Sequence, residues 1–123
     1  MGYYSEIVIA VRKEILSEDL VYPVIPKELR NMVHQVIGDA VYWHIPSWKW
    51  YESRPEIAEI LEFFELLDER DASNPIVDTD GIGTLPWFGV TKVGEGDNDI
   101  ETWGNPHHFN INTVQYIDFP GRE

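Results

Sequence analysis

The chain has 123 residues, a formal net charge of −13 at pH 7 and no cysteine. This length predicts a single domain over residues 1–123, and a hydrophobic fraction of 43% is too high for a disordered chain. The acidity argues against direct binding of nucleic acid or of an anionic membrane surface, and the absence of cysteine excludes disulfides, thiol catalysis and cysteine-ligated zinc.

The first half of the chain predicts two strands and one helix. Residues 5–12 alternate in polarity, which predicts a strand with Ile7, Ile9 and Val11 on one face. Pro26 is well placed to begin a helix and Gly38 to end it. Residues 40–51 are rich in strand formers, although Pro46 must break or bulge that strand. The apolar residues at helical spacing in the predicted first helix are Leu29, Met32, Val33, Val36 and Ile37.

The second half predicts one helix and two strands. Pro55 begins a helix that runs to about Glu69, residues 71–84 form a loop, and residues 87–93 and 109–119 form strands. The resulting order is β-α-β-α-β-β. It predicts an α+β fold, a two-layer sandwich in which a ferredoxin-like antiparallel sheet carries both helices on one face. The inner side of the second helix comprises Ile57, Ile60, Leu61, Phe64 and Leu67.

The negative charge is concentrated in residues 52–101, which contain 14 acidic and 3 basic residues. In the second predicted helix, bases stand only at the ends, as Arg54 and Arg70. A solvated helix face normally interleaves lysine four residues from glutamate, so this stripe has two interpretations: an ordinary solvated face, or an acidic surface that competes with nucleic acid for a basic groove on another protein. The glutamates that form the stripe are Glu59, Glu62, Glu65 and Glu69, and Glu56, three residues before Glu59, is a further candidate for the partner-binding surface.

A second acidic segment follows in residues 94–101. An extended chain would present Glu95, Asp97, Asp99 and Glu101 on one side, where four carboxylates could hold Ca²⁺ or Mg²⁺. Their spacing does not match the calcium-loop motif. We favour a solvated turn that contributes to the acidic surface, with a metal site as the weaker alternative, and we predict no cofactor.

The histidines provide no motif that identifies an enzyme. His34, His44, His107 and His108 lack the spacing of a transition-metal site. The sequence does not decide whether His34 or His44 is a general base, because folding can bring a carboxylate to either ring. The chain has neither a nucleophile elbow nor a phosphate-binding loop. We therefore expect a protein that is not an enzyme.

An aromatic block lies within residues 42–51. In a strand, Trp48 and Trp50 share one face while Lys49 lies on the other. Core packing is one interpretation, and an exposed anchor for a partner is the other. A stacking platform for single-stranded nucleic acid would need a cationic groove, which this acidic chain does not supply. We predict core packing combined with an anchor formed by Trp48, Lys49 and Trp50; the other aromatic residues are Tyr42, Trp43 and Tyr51.

Several short motifs resemble a known group of proteins. They are the opening Gly2-Tyr3-Tyr4-Ser5-Glu6, the block ending Lys49-Trp50-Tyr51, Pro55-Glu56-Ile57, and the segment from Gly94-Glu95 to Asp99-Ile100-Glu101. Together they resemble small phage-encoded proteins with the same beginning, a similar Lys-Trp-Tyr strand and a Gly-Glu segment ending Asp-Ile-Glu. The chain departs from that pattern at Ile45-Pro46-Ser47 and in the longer 71–86 loop. The resemblance implies a phage origin and early expression directed at the host, with no catalytic residue to transfer.

These features predict a non-enzymatic acidic interaction protein, a phage-encoded modulator or inhibitor of a host defence or nucleic-acid-handling protein. Its expected partner is a host protein with a basic surface. We find neither a basic start followed by a long apolar core, as in a signal peptide, nor an apolar run near the ~20 residues of a membrane span. We therefore expect the protein to be located in the cytoplasm of the host cell. Two alternatives stay open: a small metal- or ligand-binding domain that uses the 95–101 carboxylates, with His44 or Lys49, and a self-associating accessory protein such as a homodimer.

Overall fold

The computed structural model describes residues 4–13, 25–49, 54–73, 76–77, 84–94, 100–113 and 117–120. Their elements, in chain order, are β1 (Tyr4–Arg12), α1 (Lys27–Arg30), β2 (Gln35–Ile37), β3 (Ala40–Lys49), α2 (Pro55–Ser73), β4 (Ile76–Val77), β5 (Thr84–Leu85), β6 (Phe88–Val93), β7 (Ile100–Gly104), a 3₁₀ helix (Pro106–Phe109), β8 (Asn112–Thr113) and β9 (Ile117–Asp118).

A five-stranded antiparallel sheet organises the fold. Its strand order is β2-β3-β1-β6-β7, and two further pairs, β4 with β5 and β8 with β9, form separate two-stranded ladders. The connection from β3 through α2 to β6 passes over β1, which lies between those two strands. The helix is therefore placed across the middle of the sheet.

The central strand β1 is covered on both faces. Residues 7–11 are fully buried, so apolar side chains point to both sides of the sheet. The alternation of buried and exposed side chains that is expected of a half-buried strand is absent at residues 7–11, because Val8 and Ala10 are buried in a second core cluster on the other face of the sheet. A segment of the chain must therefore cover each face.

One face of the sheet carries both helices. The apolar side of α2 and Leu29 of α1 belong to one core cluster with Ile9 of β1 and Val90 of β6. This confirms the α+β class and fits the predicted two-layer sandwich. The buried residues that α2 contributes are Ile57, Ile60, Phe63, Phe64 and Leu67.

The C-terminal segment packs on the opposite face. Phe109, Ile111, Ile117 and Phe119 form a second core cluster around the outward-facing side chains of β1 and β3. Because β1 is thereby removed from water on both sides, this segment is part of the core and not a peripheral extension.

The predicted helix over residues 26–37 is wrong beyond its first turn. Only Lys27–Arg30 are helical, while Gln35–Ile37 form β2 and pair with β3. Val33 is 90% exposed and Val36 is 54% exposed, so their helical spacing does not mark a buried side. Gly38, with a φ of 59°, lies in the two-residue β2–β3 turn, where glycine relieves the strain of a positive φ.

Pro46 is accommodated by a bulge, as expected. Ser5 pairs with Trp48 and Ile7 with Ile45, so Glu6 lies opposite two residues of β3, Pro46 and Ser47. The strand continues to Lys49 without ending at the proline.

Three further predictions need correction. The predicted strand over residues 109–119 is interrupted by the end of the 3₁₀ helix, where Asn110 has a φ of 59°, and the described part of this span contains the short strands β8 and β9. The strand β7 was missed, and the predicted loop over residues 71–84 includes the end of α2 and strand β4. The predicted order of elements is thus incomplete, and the ferredoxin-like arrangement is not confirmed.

Candidate partner-binding surface

The glutamate stripe of α2 lies on the outside of the molecule. Glu59, Glu62, Glu65 and Glu69 are exposed, on the side of the helix opposite its core residues. Glu56 is half-buried, with a carboxylate oxygen 3.5 Å from Nη1 of Arg54. We call the four exposed residues the acidic face. Its helix cannot rotate, because Ile57, Ile60 and Phe64 are fixed in the core.

Three of the four carboxylates of the acidic face have no ion pair in the described part of the chain. Within the described residues, no ion pair within 4 Å involves Glu59, Glu62 or Glu65. Arg70, the base near the end of α2, places its guanidinium carbon 4.7 Å from the centroid of the Trp87 ring.

Basic residues border the acidic face on one side. Lys27 and Arg30 of α1 line a groove whose other wall carries Glu59 and Glu62 of α2. The sequence predicts a longer helix from Pro26, and it gives no indication that Lys27 and Arg30 lie beside α2. The three-residue spacing of Lys27 and Arg30 was the available signal, but their position beside α2 depends on the tertiary fold.

The second acidic segment is only partly described. Glu95, Asp97 and Asp99 lie outside the described residues, so their relation to the acidic face stays a prediction. Glu101 is on β7, and its Oε1 atom lies 2.8 Å from Nζ of Lys92. Lys92 is 6% exposed, so the carboxylate of Glu101 compensates a buried ammonium ion. In the described part of the chain, no group of three or more metal-ligating side chains occurs.

The aromatic block contributes mainly to the core. Trp43 is 1% exposed and its Nε1 donates to the backbone oxygen of Leu29 at 2.9 Å, which ties α1 to β3. Trp48 is partly buried and packs against the same core cluster. Of Lys49 only the strand position is described, and Trp50 lies outside the described residues. An anchor for a partner at Trp48, Lys49 and Trp50 therefore stays a prediction.

Tyr42 binds the C-terminal segment to the sheet. Its hydroxyl donates to the backbone oxygen of Phe109 at 2.8 Å, across 67 residues of sequence. Burial raises the pKa of the Tyr42 phenol above its ordinary value, because the phenolate would lose hydration. The phenol is consequently held as a hydrogen-bond donor.

Folding supplies a carboxylate to His44. The Nε2 atom of His44 lies 2.8 Å from Oε2 of Glu6, and the other carboxylate oxygen of Glu6 accepts from the backbone N–H of Ile117 at 3.5 Å. The sequence allows a carboxylate partner for His44, but it does not show which acidic residue this partner is. His34, by contrast, is exposed with its ring 5.7 Å from that of Trp43, and His107 and His108 are exposed on the 3₁₀ helix.

A small cavity of about 170 Å³ borders the paired imidazole. Its lining includes Tyr42, whose hydroxyl is already donated to Phe109, and Phe119, whose ring centroid is 5.0 Å from that of His44. Among the residues described around it, no serine, threonine or cysteine lines this cavity. The Glu6–His44 pair links β1 and β3 to the C-terminal segment, because the carboxylate of Glu6 also accepts from the backbone N–H of Ile117.

The comparisons with known proteins add no relationship. No family model matches the chain, and neither the curated proteins nor the solved structures gave a significant match. Within the described helices, none is long and apolar enough to cross a membrane.

Proposed function

We propose that the protein is a non-enzymatic interaction protein whose acidic face binds a basic surface on another protein. The resemblance to phage-encoded proteins adds the proposal that this partner is a host defence or nucleic-acid-handling protein, reached in the cytoplasm of the host cell. The partner would be modulated or inhibited because its basic surface is occupied.

One observation carries the proposal: Glu59, Glu62 and Glu65 are exposed together on a helix whose opposite side is buried in the core. Like charges in successive turns repel each other and lower helix stability. A rigid row of such charges that lacks ion pairs within the described residues is favourable when a cationic surface approaches it.

The geometry of α2 also supports competition with nucleic acid. Residues three apart on a helix are separated by about 4.5 Å along its axis, so Glu59, Glu62 and Glu65 form a regular row of negative charges. A groove that binds phosphates through lysine and arginine would attract such a row. Long-range attraction between the two surfaces would accelerate association and make it sensitive to salt.

The proposal is tested by charge reversal. The triple variant E59K/E62K/E65K should lose the partners that the wild-type protein captures from a lysate of the bacterial host at low salt, as measured by quantitative mass spectrometry. The variant E28K/D39K is the control, because it changes charge outside α2. If the triple variant retained every captured partner, the acidic face would not be the binding surface.

A second candidate, self-association, is favoured by the position of β7. This strand is at the edge of the five-stranded sheet, and Ile100 on it is 48% exposed. An edge strand can pair with the same strand of a second copy. Light scattering of the purified protein distinguishes the candidates: a concentration-dependent dimer supports self-association, and a monomer at all concentrations removes it.

A further inference from the structure

The groove between α1 and α2 has a volume of about 350 Å³, at the lower end of the ~300–1,000 Å³ typical of small-ligand sites. Lys27 and Arg30 lie three residues apart on α1 and form a cationic wall. Glu59 and Glu62 lie three residues apart on α2 and form an anionic wall. The two walls thus have opposite charges.

The part of the groove between the charged walls is apolar. Phe63 and Leu66, each four residues after one of the wall glutamates, line the groove together with Ile25 and Pro26. Phe63 is otherwise buried in the core, which fixes the position of this surface. A hydrocarbon portion of an occupant would cover this apolar lining.

The two walls do not neutralise each other. No ion pair within 4 Å joins Lys27 or Arg30 to Glu59 or Glu62, and none of these four side chains pairs elsewhere in the described part of the chain. Two cations and two anions therefore face a common space, with their charges available to a third group.

We propose that this groove binds the C-terminal lysine residue of a partner protein. A C-terminal lysine has a carboxylate for Lys27 and Arg30, an ammonium group for Glu59 and Glu62, and a flexible four-carbon stem for Phe63 and Leu66. The inference rests on the proposed function, because it names the part of the partner that contacts the acidic face.

The first test uses 6-aminohexanoate, which has both charges of a C-terminal lysine on one hydrocarbon chain. In titrations followed by amide NMR, it should shift the resonances of residues 27–30 and 59–66, and it should bind at least about threefold more tightly than hexylamine or hexanoate. Each of these two compounds lacks one of the charges. Equal binding of all three compounds would overturn the proposal.

Paired variants assign each charge to its wall. In K27M/R30M the advantage of 6-aminohexanoate over hexylamine should disappear, and in E59Q/E62Q the advantage over hexanoate should disappear. The control D68N removes an exposed carboxylate of the same helix outside both the groove lining and the acidic face, and it should leave binding unchanged. If both advantages survived in folded variants, the four charged side chains would not bind the ligand and the proposal would fail. It would also fail if 6-aminohexanoate did not bind to the wild-type protein and the substitutions only lowered the melting temperature.

The source of the ligand is tested with peptides. A peptide that ends in lysine with a free carboxylate should bind, and the same peptide with a C-terminal amide should bind at least about threefold more weakly. Binding of 6-aminohexanoate without binding of the peptide would contradict a protein C-terminus as the ligand. If the groove binds neither while E59K/E62K/E65K still releases the captured partner, the proposed function stands and this inference falls.

Discussion

Glu6 on β1 and His44 on β3 are joined by a 2.8 Å contact between Oε2 and Nε2, on the sheet face that the C-terminal segment covers. The same carboxylate accepts from the backbone of Ile117, 111 residues along the chain. One glutamate side chain therefore connects the first strand, the third strand and the last hairpin of the molecule.

Replacing Glu6 with glutamine should loosen this connection. Glu6→Gln exchanges a charged acceptor for a neutral amide, and we expect it to lower the free energy of unfolding by about 1–2 kcal/mol. Hydrogen exchange at the Ile117 amide should accelerate. The exposed Glu65→Gln variant is the control, and equal stability of the two variants in urea unfolding would show that Glu6 does not hold the C-terminal segment.

Tyr42 should give the protein a measurable alkaline sensitivity. Its pKa is raised by burial, so the folded protein favours the protonated phenol, and this stabilisation is complete below about pH 10 and is lost as pH rises through the raised pKa. Tyr42→Phe should cost about 1–3 kcal/mol at neutral pH, because the carbonyl of Phe109 loses its donor. Urea unfolding across alkaline pH should show a smaller decline for the variant than for wild type; parallel declines would contradict this role.

Lys92 and Glu101 should respond differently to neutralisation. Glu101→Gln removes the carboxylate beside a buried ammonium ion and should destabilise the protein by about 1–2 kcal/mol. Lys92→Met removes the buried charge itself and should be less costly, or even stabilising. Thermal unfolding of both variants tests this order. The reverse order would indicate that Glu101 is not needed for Lys92 and is free for another contact.

Gly89 should not tolerate a side chain, because backbone atoms occupy the place that a Cβ atom would take. A Cβ atom there would lie 2.6 Å from the backbone oxygen of Asn105 and from Cα of Pro106, neither of which can rotate away. We expect Gly89→Ala to cost about 3 kcal/mol or more. Gly38→Ala is the comparison, since it meets open space and bears only the strain of a positive φ, about 1 kcal/mol. Similar losses for both would refute the close approach of β6 to residues 105–106.

The elements that were predicted correctly are those in which local pattern and tertiary burial agree. In α2 the apolar spacing coincides with the buried side chains, and in β1 and β6 the strand formers mark the strands correctly although both faces of these strands are buried. Residues 32–37 have the same helical spacing, but pairing of β2 with β3 decides their conformation, and Val33 and Val36 are β-branched residues that favour a strand. The spacing of apolar residues along the chain does not show which strand a segment pairs with.

The candidate site was predictable to a similar extent. The exposure of Glu59, Glu62 and Glu65 follows from the helical period of α2, which the sequence contains. The cationic wall across the groove does not, because Lys27 and Glu59 are brought together only when α1 and α2 pack on one face of the sheet. The pairing of Glu6 with His44 has the same origin, a contact across 38 residues.

The most direct test of the proposed function is the salt dependence of association between the purified protein and a partner captured by the wild type. Binding through the acidic face predicts an association rate constant that falls steeply as ionic strength rises, and a much weaker dependence for E59K/E62K/E65K. An association rate constant that is independent of salt, or equal in the two proteins at low salt, would contradict the proposal and direct attention to the aromatic residues around Trp48.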